Sequence, residues 1–268
     1  MTGGPAGIVF HVPHASRRIP DEVRPWFVVS DFELATELDR LTDRWTDDLL
    51  VPASARDRTV RADVSRFVVD VERFVHDADE PMAARGMGAV YLNTTDGRPL
   101  RTKPDPDTRA SWLACWYEPH HRRLEEAVDA SLARHGRALV LDLHSFPSRP
   151  LPCDLDQEPD RPDVCIGTDA FHTPPALRDA MVDSFRGLGL DVAVDRPYAG
   201  TIVPTRHFGH DPRVVSVMVE IRRDTYMDEA TVRRLPTFER TGRDLRRTLR
   251  NAVGRWAACD DRRADPRI

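Results

Sequence analysis

The chain has 268 residues, 40% of them hydrophobic, and a formal net charge of −5 at pH 7. This length provides for a substantial core, and the negative charge argues against a nucleic-acid partner. No apolar run reaches the about 20 residues of a membrane span, no signal peptide is visible at the N-terminus, and the four cysteines form no C-x-x-C pair, so we expect a cytoplasmic protein with reduced thiols.

Helical periodicity recurs along the chain between apolar runs. Residues 31–50 carry leucines and a tryptophan at spacings of three and four, which predicts one amphipathic helix. Pro119 fits the first turn of a helix that closes at Gly136, and a further helix is expected from Pro174 to Arg186. Residues 228–258 predict two helices broken near Pro236.

Short apolar runs predict the strands between these helices. Because strands and helices alternate, we expect a three-layer α/β fold with a mixed, mostly parallel sheet flanked by helices. No repeat or linker divides the chain, so residues 1–268 are expected to form a single α/β domain. The predicted strands are Gly7–Val12, Phe67–Val71, Ala89–Leu92, Ala138–His144, Val164–Gly167, Val192–Val194 and Val214–Ile221.

Polar side chains follow two of these strands where each one ends. Asp142, His144 and Ser145 terminate the apolar run that begins at Ala138, and His14 follows the first strand. Open α/β sheets bind ligands at the carboxyl ends of their strands, so the two histidines can converge there. Neutral imidazole is a ligand of hydrolytic zinc centres. We therefore expect His14 and His144 to bind a metal, and Asp142 either holds an imidazole in place or is an ordinary strand-end residue.

Glu220 stands inside the very apolar strand 214–221. A carboxylate in such a position is costly unless it is paired or functional, and burial raises its pKa towards that of a general base. The alternative is a salt bridge to Arg222, Arg223 or another arginine. We expect the catalytic role.

The segment Ser65–Arg73 surrounds an apolar stretch with charged residues. Arginine grips a carboxylate in a bidentate manner, so Arg66 and Arg73 near a metal would favour a substrate that carries a free carboxylate. Ion pairing of these arginines with Asp70 and Glu72 explains the same pattern equally well.

Taken together, these motifs resemble the N-formylglutamate amidohydrolase family. The matching pieces run in family order from about residue 8 to about residue 228, and the ordered set is specific although each piece alone is modest. They are Pro13–Ser16, Thr42-Asp43, Ser65–Arg73, Gly86–Tyr91, Pro119–His121, Leu141–Ser145, Arg196–Gly200 and Val219–Tyr226.

The resemblance implies a zinc-exopeptidase-like fold, related to carboxypeptidases and aspartoacylase-like enzymes, and hydrolysis of an amide next to a carboxylate. Carried over to this chain, His14 and His144 become Zn²⁺ ligands and Asp43 the third ligand. Glu220 becomes the general base that activates water. Arg66 and Arg73 become the clamp on the substrate carboxylate, and Arg66 also helps to stabilise the oxyanion.

The chain departs from the pattern at two positions. Arg17 stands where carboxypeptidases have a glutamate ligand, so the third ligand comes from elsewhere. Glu72 replaces the usual asparagine, and its charge would weaken the grip of Arg73 on a carboxylate or pair with the arginine. Two further residues are expected to bind substrate. Tyr198 could line the pocket from its loop, with ordinary loop packing as the alternative. His121 could point into the site from the helix that Pro119 begins, or it could cover the start of that helix.

These features predict a zinc-dependent amidohydrolase of N-formyl or N-acyl amino acids, with a small carboxylate-bearing amide or a peptide as its partner. A metallopeptidase of the same mechanism is an alternative, motivated by Glu72 and the loops at 96–107 and 147–162. A non-catalytic member that binds metal or a small acid is a third reading, which Glu220 disfavours because binding alone does not require it. The sequence gives no indication of the oligomeric state.

Overall fold

The computed structural model describes residues 7–264 of the chain, and its centre is a six-stranded sheet. The strands are β1 (Ile8–Val12), β2 (Thr59–Arg61), β3 (Ala138–Phe146), β4 (Val164–Gly167), β5 (Val192–Val194) and β6 (Val214–Arg222). They lie in the order β2–β1–β3–β6–β4–β5. Strands β2, β1, β3 and β6 are parallel to one another, whereas β4 pairs antiparallel with β6 and parallel with β5. The predicted mixed, mostly parallel sheet is thus confirmed.

Helices pack against both faces of this sheet. They are α1 (Asp31–Leu41), α2 (Thr46–Leu50), α3 (Pro106–Trp112), α4 (Glu118–His135), α5 (Pro175–Gly187) and α6 (Phe238–Ala264). A π-helical turn, Leu113–Tyr117, joins α3 to α4. One face of the sheet packs on α2, α5 and α6, and the other on α4. The predicted helices after Pro119 and Pro174 are confirmed, and Gly136 closes α4 in the left-handed conformation.

The two faces of β3 differ in chemistry because successive side chains of a strand point in opposite directions. Leu139, Leu141 and Leu143 belong to the apolar core beneath α5 and α6. Val140 belongs to the core beneath α4, and Asp142 and His144 share its side of the strand. The polar residues of β3 are therefore confined to one face.

A separate apolar cluster packs beside the sheet, formed by α1, α3 and the irregular segment between residues 64 and 91. The predicted strands Phe67–Val71 and Ala89–Leu92 lie in this segment and are wrong, since neither adopts strand structure. The two pieces share the backbone hydrogen bond from Asp70 to Ala89 (2.8 Å). Both pieces are apolar because they are buried in this cluster. An apolar run shows that a segment is buried, but it does not show that its backbone is an extended strand.

The single helix predicted for residues 31–50 is also wrong, because α1 ends at Leu41 and α2 begins at Thr46. Trp45 interrupts the helix with a left-handed backbone (φ 62°). The leucines of the predicted stripe divide accordingly, since Leu34 and Leu38 pack in the cluster beside the sheet while Leu49 packs in the core of the sheet.

The C-terminal region contains one long helix rather than the two predicted for residues 228–258. Pro236 precedes α6 instead of interrupting a helix. Residues 227–234 form a small hairpin of β7 (Met227–Asp228) and β8 (Arg233–Arg234). None of the helices described within residues 7–264 is long and apolar enough to cross a membrane.

Candidate active site

The register of the central strands brings four polar side chains to one end of the sheet. His11 of β1 lies opposite Asp142 of β3, and His144 of β3 lies opposite Glu220 of β6. By the alternation of side chains along a strand, all four belong to the face that packs on α4. The strand-end site expected from the sequence is therefore assembled by direct pairing of neighbouring strands.

Asp43 reaches this site because α1 ends before it. The residue lies in the irregular stretch between α1 and α2, where its backbone N–H donates to the carbonyl of His14 (3.0 Å). The hydroxyl of Thr46 donates to the Asp43 carbonyl (3.0 Å). These bonds hold the stretch against the end of β1, and Asp43 is buried beside both predicted histidine ligands.

The three predicted metal ligands place one donor atom each around a single point. The two Nδ1 atoms of His14 and His144 are 3.3 Å apart. Oδ2 of Asp43 lies 3.2 Å from Nδ1 of His144 and 3.8 Å from Nδ1 of His14. A tetrahedral zinc ion with bonds of about 2.0–2.1 Å separates its ligand atoms by about 3.3 Å, so the spacing fits this metal.

The outer hydrogen bonds of both histidines fit the same metal. Nε2 of His14 lies 2.9 Å from Asp70, and Nε2 of His144 lies 2.9 Å from Asp142. Carboxylates hold metal-binding histidines in this way, and a neutral imidazole that donates through Nε2 offers the lone pair of Nδ1 to a metal. Burial opposes protonation of His144, but Glu72 and Asp142 outweigh it and raise its pKa well above the usual range. A metal at this point would therefore take the place of the proton that His144 shares with Asp43.

Glu72 offers a different third ligand on the other side of the rings. Its carboxylate approaches Nε2 of His144 at 3.3 Å and Nε2 of His14 at 3.6 Å, and the three residues form a possible metal-binding group. Both Nε2 atoms already donate to carboxylates, however, and a metal there would displace these bonds. The set with Asp43 therefore fits a metal better.

Burial and charge set the protonation of the site's carboxyl groups. Burial opposes ionisation of Asp70, but Arg66 and His14 outweigh it and hold its pKa well below the usual range. Burial likewise opposes ionisation of Asp142, and His144 and His11 hold its pKa well below the usual range. For Asp43, His144, His14 and Arg223 outweigh burial and lower the pKa. These three carboxylates are ionised at neutral pH.

Glu220 behaves differently, because burial raises its pKa to about 8 and the nearby Asp43 adds to the effect. Its Oε2 atom is buried without a hydrogen-bond partner among the described residues. The alternative of a salt bridge to Arg223 does not hold, since Arg223 pairs with Asp43 (3.1 Å) and its guanidinium also bonds the Ser145 carbonyl. Arg222 pairs with Asp163 (2.7 Å). Glu220 thus presents an unsatisfied carboxyl group beside His144.

The two predicted arginines are held differently. Arg66 donates through Nε and Nη2 to Asp70 (3.0 and 2.8 Å) and through Nε to the hydroxyl of Tyr91 (3.1 Å). Arg73 is held loosely, with Nε 3.7 Å from Asp70 and Nη1 3.8 Å from Glu80, and its buried Nε makes no hydrogen bond within the described chain. Ion pairing therefore accounts for Arg66, whereas Arg73 retains capacity for a ligand.

The remaining predicted substrate-binding residues lie at the edge of the site. The hydroxyl of Tyr198 contacts Arg161 and Asp154 (3.3 Å each), which fixes it to the loop at 147–162. His121 bonds the carbonyl of Val71 through Nε2 (2.7 Å) and stacks on Tyr117. It also lines an open cleft of about 470 Å³. Neither residue reaches the group of predicted metal ligands by any described contact.

Two buried histidines escaped the sequence analysis. Nδ1 of His11 bonds Asp142 (2.8 Å), and its Nε2 lies 2.8 Å from Nε2 of His120 on α4. The position of His11 within an apolar strand, two residues after Val9, was a usable signal. The sequence contained no comparable signal for His120, because the pattern at the start of a helix does not reveal which of two adjacent histidines faces the sheet.

The family of this chain follows from comparison with known proteins. The family model for N-formylglutamate amidohydrolase matches residues 6–227. The chain belongs to the N-formylglutamate amidohydrolase family. Membership indicates an amidohydrolase enzyme, and the matched range contains all the site residues named above. No curated protein sequence matches the chain.

Two solved structures are similar over nearly the whole molecule. An N-formylglutamate amidohydrolase from Ralstonia eutropha JMP134 shares 25% identity with a TM-score of 0.81, and the match covers 96% of each chain. The Atu2144 gene product from Agrobacterium tumefaciens shares 19% identity with a TM-score of 0.67, covering 96% of this chain and 93% of that one. The second likeness supports the fold alone.

Proposed function

We propose that this amidohydrolase is zinc-dependent and cleaves the amide of an N-formyl or N-acyl amino acid resembling N-formylglutamate. The observation that carries the proposal is the convergence of two imidazole Nδ1 atoms and the Asp43 carboxylate, 3.2–3.8 Å apart, beside Glu220. His14, His144 and Asp43 would hold the ion. Zinc in such a site lowers the pKa of water to about 7 and polarises a carbonyl.

Glu220 is the candidate general base. Its carboxyl group is buried, carries a raised pKa and has a free oxygen, so it is able to take a proton from water and return it to the leaving amine. Positive charge at the three ligands would lower its pKa and favour the ionised form that a base requires. No other carboxyl group of the site combines burial with an unsatisfied oxygen.

Arg73 is the candidate for holding the substrate carboxylate. Its Nε donor is buried and unsatisfied, and its contacts to Asp70 and Glu80 are long. Arg66 is fixed on Asp70, which in turn holds His14, so its contribution is to position a ligand as well as to add positive charge near the reacting amide. The Glu72 carboxylate approaches the histidines rather than Arg73, and this leaves the arginine available.

A peptide or a larger acyl group is a second candidate substrate. The cleft of about 470 Å³ lined by Phe74, Tyr117 and His121 adjoins the segment that carries Arg73, because the Tyr117 hydroxyl donates to the Arg73 carbonyl (3.0 Å). A substituent beyond the amide would find room there. Comparing N-formyl and N-acetyl amino acids with dipeptides discriminates between the two substrate classes.

The test begins with the metal content of the purified protein. We expect at least about one zinc ion per wild-type chain. His144→Ala should lose the ion that His14, His144 and Asp43 hold. Glu220→Gln should keep the metal and lower kcat/KM for formate release from N-formyl-L-glutamate by about 10²–10⁴-fold. Glu239→Gln, an exposed change on α6, serves as the matched control. A protein that neither binds zinc nor hydrolyses any of these amides would contradict the proposal.

A further inference from the structure

A second group of metal-binding side chains lies on the far side of the His144 ring from Asp43. Nδ1 of His144 faces Asp43, whereas its Nε2 faces Asp142 (2.9 Å) and Glu72 (3.3 Å). Nδ1 of His11 lies 2.8 Å from the same Asp142 oxygen and 3.6 Å from the same Glu72 oxygen. One imidazole nitrogen and two carboxylate oxygens therefore surround a point that the reaction proposed above does not use.

The charges of this second group are not balanced by arginine. Asp43 pairs with Arg223 and Asp70 with Arg66. In the part of the chain that the structure describes, no arginine or lysine nitrogen forms an ion pair with Glu72 or Asp142, and their cationic neighbours are all imidazoles. Buried carboxylates are costly unless positive charge compensates them, and here only imidazoles supply it. A bound cation would provide further compensation.

We propose that His11, Glu72 and Asp142 bind a second divalent metal ion, Zn²⁺ or Mn²⁺. Imidazole combined with two carboxylates suits both ions. Nδ1 of His11 lies 2.8 Å from Asp142 and 3.6 Å from Glu72, and these distances bracket the spacing of about 3.3 Å expected for bonds near 2.0–2.1 Å. The ion would replace the hydrogen bond between His11 and Asp142. His11 and Asp142 are buried, while the Glu72 side chain is 17% exposed, so Glu72 marks the side from which an ion enters.

Neighbouring groups support the ligand forms that this site requires. If His11 binds through Nδ1, its Nε2 must carry the hydrogen, and Nε2 of His120 lies 2.8 Å away to accept it. The other oxygen of Asp142 accepts from the backbone N–H of Ile202 (3.0 Å), which turns Oδ1 towards His11. Outer hydrogen bonds of this kind fix the orientation of metal ligands.

The experiment counts metal ions in the intact chain after treatment with a chelator and equilibrium dialysis against Zn²⁺ or Mn²⁺ alone. We expect two ions per wild-type chain and one in Glu72→Gln or His11→Gln, with affinity at the remaining site unchanged. Glu118→Gln, an exposed substitution on α4, should still bind two. Circular dichroism establishes whether each variant is folded. If His11→Gln does not fold, the metal content of Glu72→Gln alone decides whether the second site exists.

One ion in the wild type, with the same ion retained in Glu72→Gln, would overturn the second site while leaving the first intact. Two ions retained in both variants would overturn it as well, because the second ion would then lie elsewhere. A failure of the proposed zinc hydrolase gives a different result. In that case the wild type would lack the ion that is lost in His144→Ala.

Discussion

Asp43 is the residue that distinguishes the two ligand sets available to the proposed first metal site. It is brought to His14 by a backbone hydrogen bond and lies 3.2 Å from Nδ1 of His144. Arg223 holds its other oxygen (3.1 Å), so the carboxylate has a fixed orientation. Glu72, the competing ligand, has contacts of 3.3 Å or more to the same two histidines.

We predict that Asp43→Asn weakens zinc binding at the first site by about 10²-fold or more, because a neutral amide is a poor substitute for a carboxylate ligand. Competition with a chromophoric chelator measures the dissociation constant. Asp39→Asn, near the end of α1 and paired with Arg17 and Arg44 outside the site, is the matched control. An Asp43→Asn protein with wild-type zinc affinity would show that Asp43 is not a ligand.

Single residues were predictable where burial and polarity conflict within a regular pattern. His144 and Glu220 interrupt long apolar strands, and that conflict is visible in the sequence alone. Asp70 was recognised only as a possible ion-pair partner, because its contact with His14 joins residues 56 positions apart. His120 required knowledge of which face of α4 meets the sheet. Contacts between distant segments depend on packing, which no local pattern encodes.

Arg101 is buried without an acidic partner among residues 7–264. It is 4% exposed, and its three guanidinium nitrogens have no hydrogen-bond partner in the described chain. It lies over the ring of Phe27 (4.4 Å) and near that of Trp112 (5.5 Å). Burial lowers its pKa to about 9, so the group remains charged at neutral pH and its desolvation opposes folding, with partial compensation from the aromatic faces.

We therefore predict that Arg101→Met raises the free energy of unfolding by about 1–3 kcal/mol, as apolar replacement of buried charges often does. Urea denaturation followed by fluorescence provides the measurement. Arg98→Met removes an exposed arginine that pairs with Glu33 and Asp96, and we expect it to lower the free energy of unfolding slightly rather than raise it. A destabilised Arg101→Met protein would indicate that the guanidinium has a stabilising partner.

Among the elements, α1 matters most for the site because its end releases Asp43 towards β1. Its start is fixed by a capping box, in which the Ser30 hydroxyl accepts from the Glu33 N–H (3.3 Å) and the Glu33 carboxylate accepts from the Ser30 N–H (3.0 Å). These bonds to Ser30, together with Arg98, lower the pKa of Glu33 to about 2. Helix α1 is thus defined at both ends by specific backbone interactions.

Ser30→Ala should destabilise the protein by about 1 kcal/mol at pH 7, the usual cost of losing a serine cap. Because the folded pKa of Glu33 lies below its ordinary value of 4.5, its contribution is present above about pH 4.5 and is lost as the pH falls towards 2. The difference in free energy of unfolding between Ser30→Ala and the wild type should therefore become smaller as the pH falls from about 4.5 towards 2. Thr36→Ala, within the same helix, is the control and should not reproduce this pH dependence. A difference in free energy of unfolding that does not change with pH would show that the Ser30 cap is not coupled to the ionisation of Glu33.

Elements were predictable where a periodic pattern coincides with a clear stop. Pro119 and Gly136 delimit α4 in the sequence as in the structure. The break after α1 was not predictable from hydrophobic spacing, since Leu49 keeps the spacing of the stripe while packing in a different cluster. The apolar stretch 67–71 misled for a related reason, because a buried irregular segment and a buried strand have the same composition.

At the scale of the molecule, the sheet keeps two kinds of core apart. The face under α5 and α6 is lined by leucine and valine from β3 and β6, whereas the face under α4 changes from apolar to polar towards the strand ends. This division was inferable from the strand-end histidines. The antiparallel placement of β4 beside β6 was not, since short apolar runs carry no information on strand direction.

The alternation along β3 has a consequence for how the protein tolerates sequence change. Consider a library of β3 variants sorted separately by cellular abundance and by turnover. We expect the two kinds of defect to alternate from one residue of the strand to the next. Alanine at Leu139, Leu141 or Leu143 should reduce abundance, since each loss costs about 2–5 kcal/mol. Changes at Asp142 and His144 should chiefly abolish turnover. Evolution can therefore revise the chemistry of this strand on one side while the other side continues to hold the fold.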